Sequence, residues 1–205
     1  MSESIAIIDY GVGNLRSVQK GLEKVGLKAA VISRPDDLYG APGVILPGVG
    51  AFADAMENLR SRGFIPAIKD VVDKEIPLLG ICLGMQLLFS ESEENGLYQG
   101  LDLLPGRVVR LPKGLKVPHM GWNQLESITP HPLMAGIETG DYFYFVHSYY
   151  AMPKEENVVI ASTDYGQMLP AVVGSKNVFG IQFHPEKSSD LGLRILKNFG
   201  ELIVC

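Results

Sequence analysis

Cysteine is nearly absent: among 205 residues there are two, Cys82 and Cys205. One lies mid-chain and the other at the last position, which argues against a disulfide framework and fits a reducing compartment. A basic excess is also missing. Lys and Arg number 18 against 23 Asp and Glu, for a net charge of −5, so no stripe of cations is available to neutralise phosphates and no nucleic-acid partner is expected. No apolar run approaches the ~20 residues needed to span a bilayer, so no membrane partner is expected. Behind Met1 come Ser2 and Glu3, where a signal peptide would carry a basic region and an apolar stretch, so the expected location is cytoplasmic. The four histidines, His119, His131, His147 and His184, are scattered without Cys-x-x-Cys or His-x-x-x-His spacing, and no metal site is expected. No Gly-x-x-x-x-Gly-Lys phosphate cradle occurs. Gly11-Val12-Gly13-Asn14 lacks the third glycine of a dinucleotide fingerprint. No cofactor is implied.

Apolar residues are plentiful, at 46%, enough for a sizeable core in one domain spanning residues 1–205. The first part alternates strand and helix. Apolar runs at Ile5–Asp9, Lys28–Ile32, Gly43–Leu46 and Ile76–Ile81 read as strands. Leu15, Val18, Leu22 and Val25 recur at helical steps behind Asn14, a candidate N-cap. Helical spacing returns in Ala51–Arg60, Pro66–Lys74 and Leu83–Phe89. Such alternation implies parallel pairing through right-handed crossovers. After about Ser92 the pattern becomes β-rich, with strands expected at Val108-Val109, Trp122–Ile128, Tyr142–Tyr150, Val158–Ala161, Ala171–Gly174 and Val178–Phe183. A last helix is expected over Leu191–Val204. The expected class is α/β: a mostly parallel central sheet between flanking helices, with an additional β-rich segment inserted before the final strand and helix.

Gly80-Ile81-Cys82-Leu83-Gly84 sits where an apolar strand turns into a helix. This is the form of a nucleophile elbow with cysteine as nucleophile; so sharp a turn needs small residues on both flanks. A helix N-terminus favours the thiolate, and the Leu83 N–H is placed to bind an oxyanion. The competing reading is a buried structural cysteine at the end of a core strand. His184 closes the last strand and is followed by Pro185 and Glu186. In an extended chain residues two apart share a side, so Glu186 can hold the His184 imidazole in the tautomer that takes a proton from the thiol. On its own, His-x-Glu is often no more than a polar strand end.

Gly80-Ile81-Cys82-Leu83-Gly84-Met85-Gln86 and Gly180-Ile181-Gln182-Phe183-His184-Pro185-Glu186 together resemble the triad-type, class I glutamine amidotransferases. Pro47-Gly48-Val49-Gly50-Ala51-Phe52 looks like that family's oxyanion strand. Three further motifs resemble the glutaminase subunits of imidazole glycerol phosphate synthase: Ile7-Ile8-Asp9-Tyr10-Gly11-Val12-Gly13-Asn14-Leu15, His119-Met120-Gly121-Trp122-Asn123 and Tyr144-Phe145-Val146-His147-Ser148-Tyr149. The resemblance runs along essentially the whole chain. It implies a three-layer, flavodoxin-like fold and a catalytic triad of Cys82, His184 and Glu186. It also implies a glutamine pocket drawing on Gly48, Val49, Gly50, Leu83, Gln86, Ser148 and Tyr149. The implied partner is a (β/α)₈-barrel cyclase subunit in a heterodimer, met near Asn14, His119, Trp122, Tyr144 and Lys187, to which ammonia passes in histidine biosynthesis. Plain alternatives remain: Gly48 and Gly50 as a tight turn, Ser148 and Tyr149 as ordinary strand residues, Trp122 as core. At the level of function the alternatives are the glutaminase of another synthase, of vitamin B6 or anthranilate type, a free-standing cysteine hydrolase, and a non-enzymatic regulatory module.

Overall fold

The computed structural model describes residues 4–203; the expected helix end at Val204, and Cys205, lie outside them. The first half is β1 (Ile5–Ile8), α1 (Leu15–Lys24), β2 (Ala29–Ile32), β3 (Val44–Gly48), α2 (Phe52–Ser61), α3 (Phe64–Asp73), β4 (Leu78–Cys82) and α4 (Leu83–Leu87). The second half holds β5 (Phe89–Ser92), β6 (Tyr98–Gln99), β7 (Leu104–Arg110), β8 (His119–Gln124), β9 (Ser127–Ile128), β10 (Tyr142–His147) and β11 (Tyr149–Pro153). Then come β12 (Val159–Asp164), β13 (Met168–Ser175), β14 (Val178–Ile181) and α5 (Ser189–Ile203).

The main sheet runs β2-β1-β3-β4-β14-β13-β12-β9. The first five of these are mutually parallel, and β13, β12 and β9 extend the sheet antiparallel. Both faces are covered, and period-two alternation sorts the strand residues between them. Ile5, Ile7, Ile45, Leu79 and Ile81 pack with Val18 and Leu22 of α1 and Ile195, Leu196 and Phe199 of α5. Ala6, Ile8, Val44, Leu46 and Leu78 pack with Phe52, Met56 and Leu59 of α2 and Phe64, Ile68 and Val71 of α3. This is a three-layer α/β fold, as expected.

Three expectations are corrected. The β-rich stretch is not one insertion, because β9, β12 and β13 join the central sheet, while β11-β7-β5-β6 form a second sheet and β10-β8 a two-stranded ribbon. The strand expected over Tyr142–Tyr150 breaks at Ser148, where the chain leaves β8 to pair with β7. The helix expected over Leu83–Phe89 stops at Leu87, and Phe89 opens β5. Strand partners are chosen across long stretches of chain, and local periodicity carries no record of them.

The order β2-β1-β3-β4 puts a change of direction between β1 and β3. Open parallel sheets bind ligands beyond the carboxyl ends of such strands. Gly48 and Cys82, the last residues of β3 and β4, lie side by side there.

Candidate active site

Cys82 has φ +55° and ψ −111°, a region that residues with a Cβ rarely adopt, as expected of a sharp elbow. The glycines around it allow that turn. A Cβ on Gly80 would stand 2.6 Å from the Gly84 carbonyl oxygen, and one on Gly84 would run into Leu46 O. On β3, a Cβ at Gly48 would stand 2.8 Å from both Gly84 N and the Tyr10 hydroxyl. Tyr10, fully buried, donates to Pro47 O at 2.7 Å and fixes that strand end from below. Burial, with the nearby Cys82, raises the Tyr10 pKa well above its ordinary value, so the phenol stays a neutral donor.

The Cys82 sulfur lies 3.7 Å from Val146 O and 3.8 Å from Gln182 Nε2. The His184 Nδ1 to Glu186 Oε1 distance is 2.8 Å, with side chains 2% and 1% exposed. Strand alternation is not what joins this pair. β14 ends at Ile181, His184 is extended, and Pro185–Lys187 forms a 3₁₀ turn that folds the carboxylate back to the ring. Ser188 holds the turn, since its hydroxyl donates to His184 O at 2.6 Å and accepts from Tyr144 N at 2.9 Å.

His184 Nε2 and Glu186 Oε2 are buried without a hydrogen-bond partner among the described residues. Catalytic bonds are often long before substrate arrives. Burial, the largest influence on His184, disfavours its cation. The Cys82 side chain and then Glu186 outweigh that, raising the pKa from 6.5 to about 9. At neutral pH the imidazole is therefore a cation between sulfur and carboxylate.

A pocket of about 350 Å³ opens over Cys82 and is lined by Val49, Gly50, Leu83, Gln86, Ser148, Tyr149 and His184, a size suited to a small amino acid. Gly48 does not line it; it backs the site against Gly84 and Leu83. Gln86 is buried, with its N–H₂ donating to Tyr149 O at 2.8 Å and Gln182 Oε1 at 3.0 Å. Only its carbonyl oxygen remains to offer a ligand. Leu83 is the first residue of α4, so its N–H has no partner within the helix. Gly50 has φ +96° and Val49 is 41% exposed, so this segment stands clear of the core.

Sequence reasoning missed Glu94 and His147, which also line the pocket. Glu94 Oε2 accepts from Phe52 N at 2.7 Å, capping α2 from another loop. The only sequence signal for His147 was its place in the Tyr144–Tyr149 motif, and for Glu94 there was none.

The residues expected at a partner surface divide. Trp122 is 52% exposed; its ring meets Tyr144 edge-on at 6.1 Å, and Lys187 Nζ lies 5.9 Å from the Tyr144 ring centre. With exposed Met120 and Tyr142 they make an apolar, aromatic patch beside the pocket mouth, where Lys187 also reaches. His119 departs from the expectation: it is 3% exposed and lies beneath this face. Asn14 makes no side-chain cap hydrogen bond to α1. It is half-buried and lines a small space shared with Pro47, Val49, His184 and Glu186.

Residues 6–202 match the family model "Glutamine amidotransferase class-I", and the chain belongs to that family. Within it, the chain is 60% identical to the imidazole glycerol phosphate synthase subunit HisH of Moorella thermoacetica, over 97% of this chain and 95% of that one. It is 54% identical to the HisH subunit of Geobacter sulfurreducens, over 97% and 98%. Among solved structures, the fold resembles a glutamine amidotransferase at TM-score 0.78 and 23% identity, covering 98% of this chain and 100% of that one. It also resembles a chain of the PurLQS structure from Thermotoga maritima at TM-score 0.75 and 19% identity, covering 100% and 98%.

Proposed function

We propose that this chain hydrolyses glutamine to glutamate and ammonia, and delivers the ammonia to the (β/α)₈-barrel cyclase subunit of imidazole glycerol phosphate synthase in histidine biosynthesis. The observation that carries the chemistry is that the strained Cys82 and His184 line one pocket, with Glu186 hydrogen-bonded to the far nitrogen of His184. The choice of synthase is supported by 60% identity to the Moorella HisH subunit over nearly the whole chain. We take residues 1–205 as one amidotransferase domain working in the cytoplasm. Among the described residues no helix is long and apolar enough to cross a membrane.

In this reading the Cys82 sulfur attacks the side-chain carbonyl carbon of glutamine. The oxyanion is met by the Leu83 N–H and by an N–H of the Val49–Gly50 segment. The His184 cation gives its proton to the departing nitrogen, so ammonia leaves and a glutamyl thioester remains. Acylation turns Cys82 into a thioester and removes the influence that held the proton on His184. Burial then favours the neutral ring, which can take a proton from the attacking water. Glu186 fixes the tautomer throughout. Gln86 Oε1 and the Glu94 carboxylate are acceptors suited to the α-ammonium. Ser148 and Tyr149, with Lys187 at the rim, suit the α-carboxylate.

Ammonia released into neutral water becomes mostly ammonium and ceases to be a nucleophile, so a sheltered route to the acceptor site is needed. The patch of Met120, Trp122, Tyr142 and Tyr144 beside the pocket mouth suits a partner that covers that mouth.

The test is glutamate release by the purified chain, alone and with the cyclase barrel plus its ribosyl ligand. Strong stimulation in the mixture is expected. Equal turnover with and without the barrel would move the assignment to another synthase or to a free-standing hydrolase. No turnover in a mixture that demonstrably binds would favour a regulatory module.

A further inference from the structure

His119 and His147 form a buried pair, with Nδ1 of His119 3.0 Å from Nε2 of His147, and the chemistry described above uses neither. Which nitrogens carry protons can be worked out from both ends. His147 Nδ1 is 2.9 Å from Tyr149 O; a carbonyl only accepts, so Nδ1 carries the proton and Nε2 is bare in the neutral ring. At the other end, Asn123 Nδ2 donates to Asp164 O at 2.8 Å and Asn123 Oδ1 accepts from Gln124 N, which settles the amide's orientation. Its second proton points to His119 Nε2 at 3.2 Å, so that nitrogen is the acceptor and Nδ1 bears the proton. The two ends agree: Asn123 donates to His119, His119 to His147, and His147 to Tyr149 O. A second proton on His119 would set two N–H groups against each other at the Asn123 contact, and one on His147 would do so between the rings.

The setting holds this chain of donors in place. His119 is stacked between Phe145, at 4.9 Å, and Tyr165, at 4.0 Å. Burial lowers the pKa of His119 to about 4 and of His147 to about 3, so both rings are neutral under working conditions. Tyr149 O, where the chain of donors ends, also accepts from Gln86. That carbonyl belongs to the corner at which β10 gives way to β11 and which carries Ser148 and Tyr149 into the pocket.

We propose that His119 and His147 are positioning residues: a one-directional hydrogen-bond relay from Asn123 on β8 that sets the Ser148–Tyr149 corner and so the affinity for glutamine. The proposal rests on the glutaminase reading for its kinetic consequence, but not for its protonation pattern. It also ties the strand that carries exposed Met120 and Trp122 to the glutamine pocket.

The experiment is nitrogen NMR of ¹⁵N-histidine-labelled chain, together with glutaminase kinetics in the presence of the cyclase barrel and its ribosyl ligand. Expected are two neutral rings protonated at Nδ1, assigned to His119 and His147 by His119→Phe and His147→Gln. His119→Phe keeps the stacking shape and loses the donor. It is expected to raise KM for glutamine about 10-fold with kcat within about twofold, the scale of one buried hydrogen bond left unmade. His119→Asn, whose amide can stand in for Nδ1–H, should recover part of that loss. A ring protonated at Nε2, a cationic ring at neutral pH, or an unchanged KM in folded His119→Phe overturns the proposal. If His119→Phe does not fold, Asn123→Ala replaces it at the edge of the relay. Wild-type tautomers together with a wild-type KM in that variant would equally overturn it. Absence of glutamate release by the wild type with bound barrel would instead strike the glutaminase reading, leaving the ring protonation to decide the relay.

Discussion

Gly48 and Cys82 are register partners at the ends of adjacent parallel strands, so Cys82, the proposed nucleophile, and the Val49–Gly50 segment proposed to meet the oxyanion are held by one stretch of sheet. The absence of a side chain at Gly48 lets α4 begin against β3. With Gly48→Ala the added methyl would meet Gly84 N, the Tyr10 hydroxyl and Leu83 Cβ, all within 2.9 Å. Two of these belong to the elbow and cannot swing aside. The expected result is a folded chain with glutamine turnover lowered about 100-fold, the effect of a displacement near 1 Å at a reacting group. Circular dichroism and glutamate release together check it.

Cys82→Ala should abolish glutamine-dependent synthesis in the complex and leave synthesis from ammonium salts intact, because only the source of ammonia is removed. Failure with ammonium as well would make Cys82 structural, or the partner assignment wrong.

Glu186→Gln should reduce kcat less than His184→Ala does. The amide can still accept from Nδ1–H and orient the ring, whereas nothing replaces the ring in proton transfer. Equal losses in steady-state kinetics would give the carboxylate's charge a larger part than orientation.

Glu94→Gln keeps an acceptor for Phe52 N and removes the negative charge offered to the α-ammonium of glutamine. KM for glutamine is expected to rise about 10-fold or somewhat more, in line with hydrogen bonds to charged groups, with kcat little changed. Titration with glutamine checks this, and a kcat effect alone would remove Glu94 from substrate binding.

The His184 cation gives a pH signature. Burial opposes the charge, but Cys82 and Glu186 outweigh it, and the folded pKa of about 9 lies above the ordinary 6.5. The group's contribution to stability is therefore complete below 6.5 and is lost as pH rises through about 9. Wild-type Tm should fall across that interval by more than the Tm of Cys82→Ala, which lacks the strongest influence favouring the cation. Parallel Tm curves for the two proteins would contradict this.

Much of this was legible in the sequence because it is local. The alternation from Ile5 to Ile81 reads as buried strands and amphipathic helices, since period and burial are properties of short windows. The glycines around Cys82 announce a sharp turn because close backbone approach admits no other residue. His184 and Glu186 do meet, but a 3₁₀ turn, not strand alternation, joins them.

What depends on distant pairing was not legible. Nothing near Ser148 says that β10 will pair with β8 and β11 with β7, or that Glu94 will cross to cap α2 and face the pocket. The resemblance puts His119 near a partner surface together with Trp122, yet His119 is buried while Met120 and Trp122 are exposed. Only the tertiary structure stacks it between Phe145 and Tyr165 and joins it to His147. The sequence by itself determined the elements, the turn at the nucleophile and the motifs that mark the family, because those follow from sterics and periodicity over a few residues. The tertiary structure decided which strands meet, which side chains enclose the pocket and which protons point where. Those depend on contacts between residues far apart in the chain, whose geometry exists only once the core has closed around them.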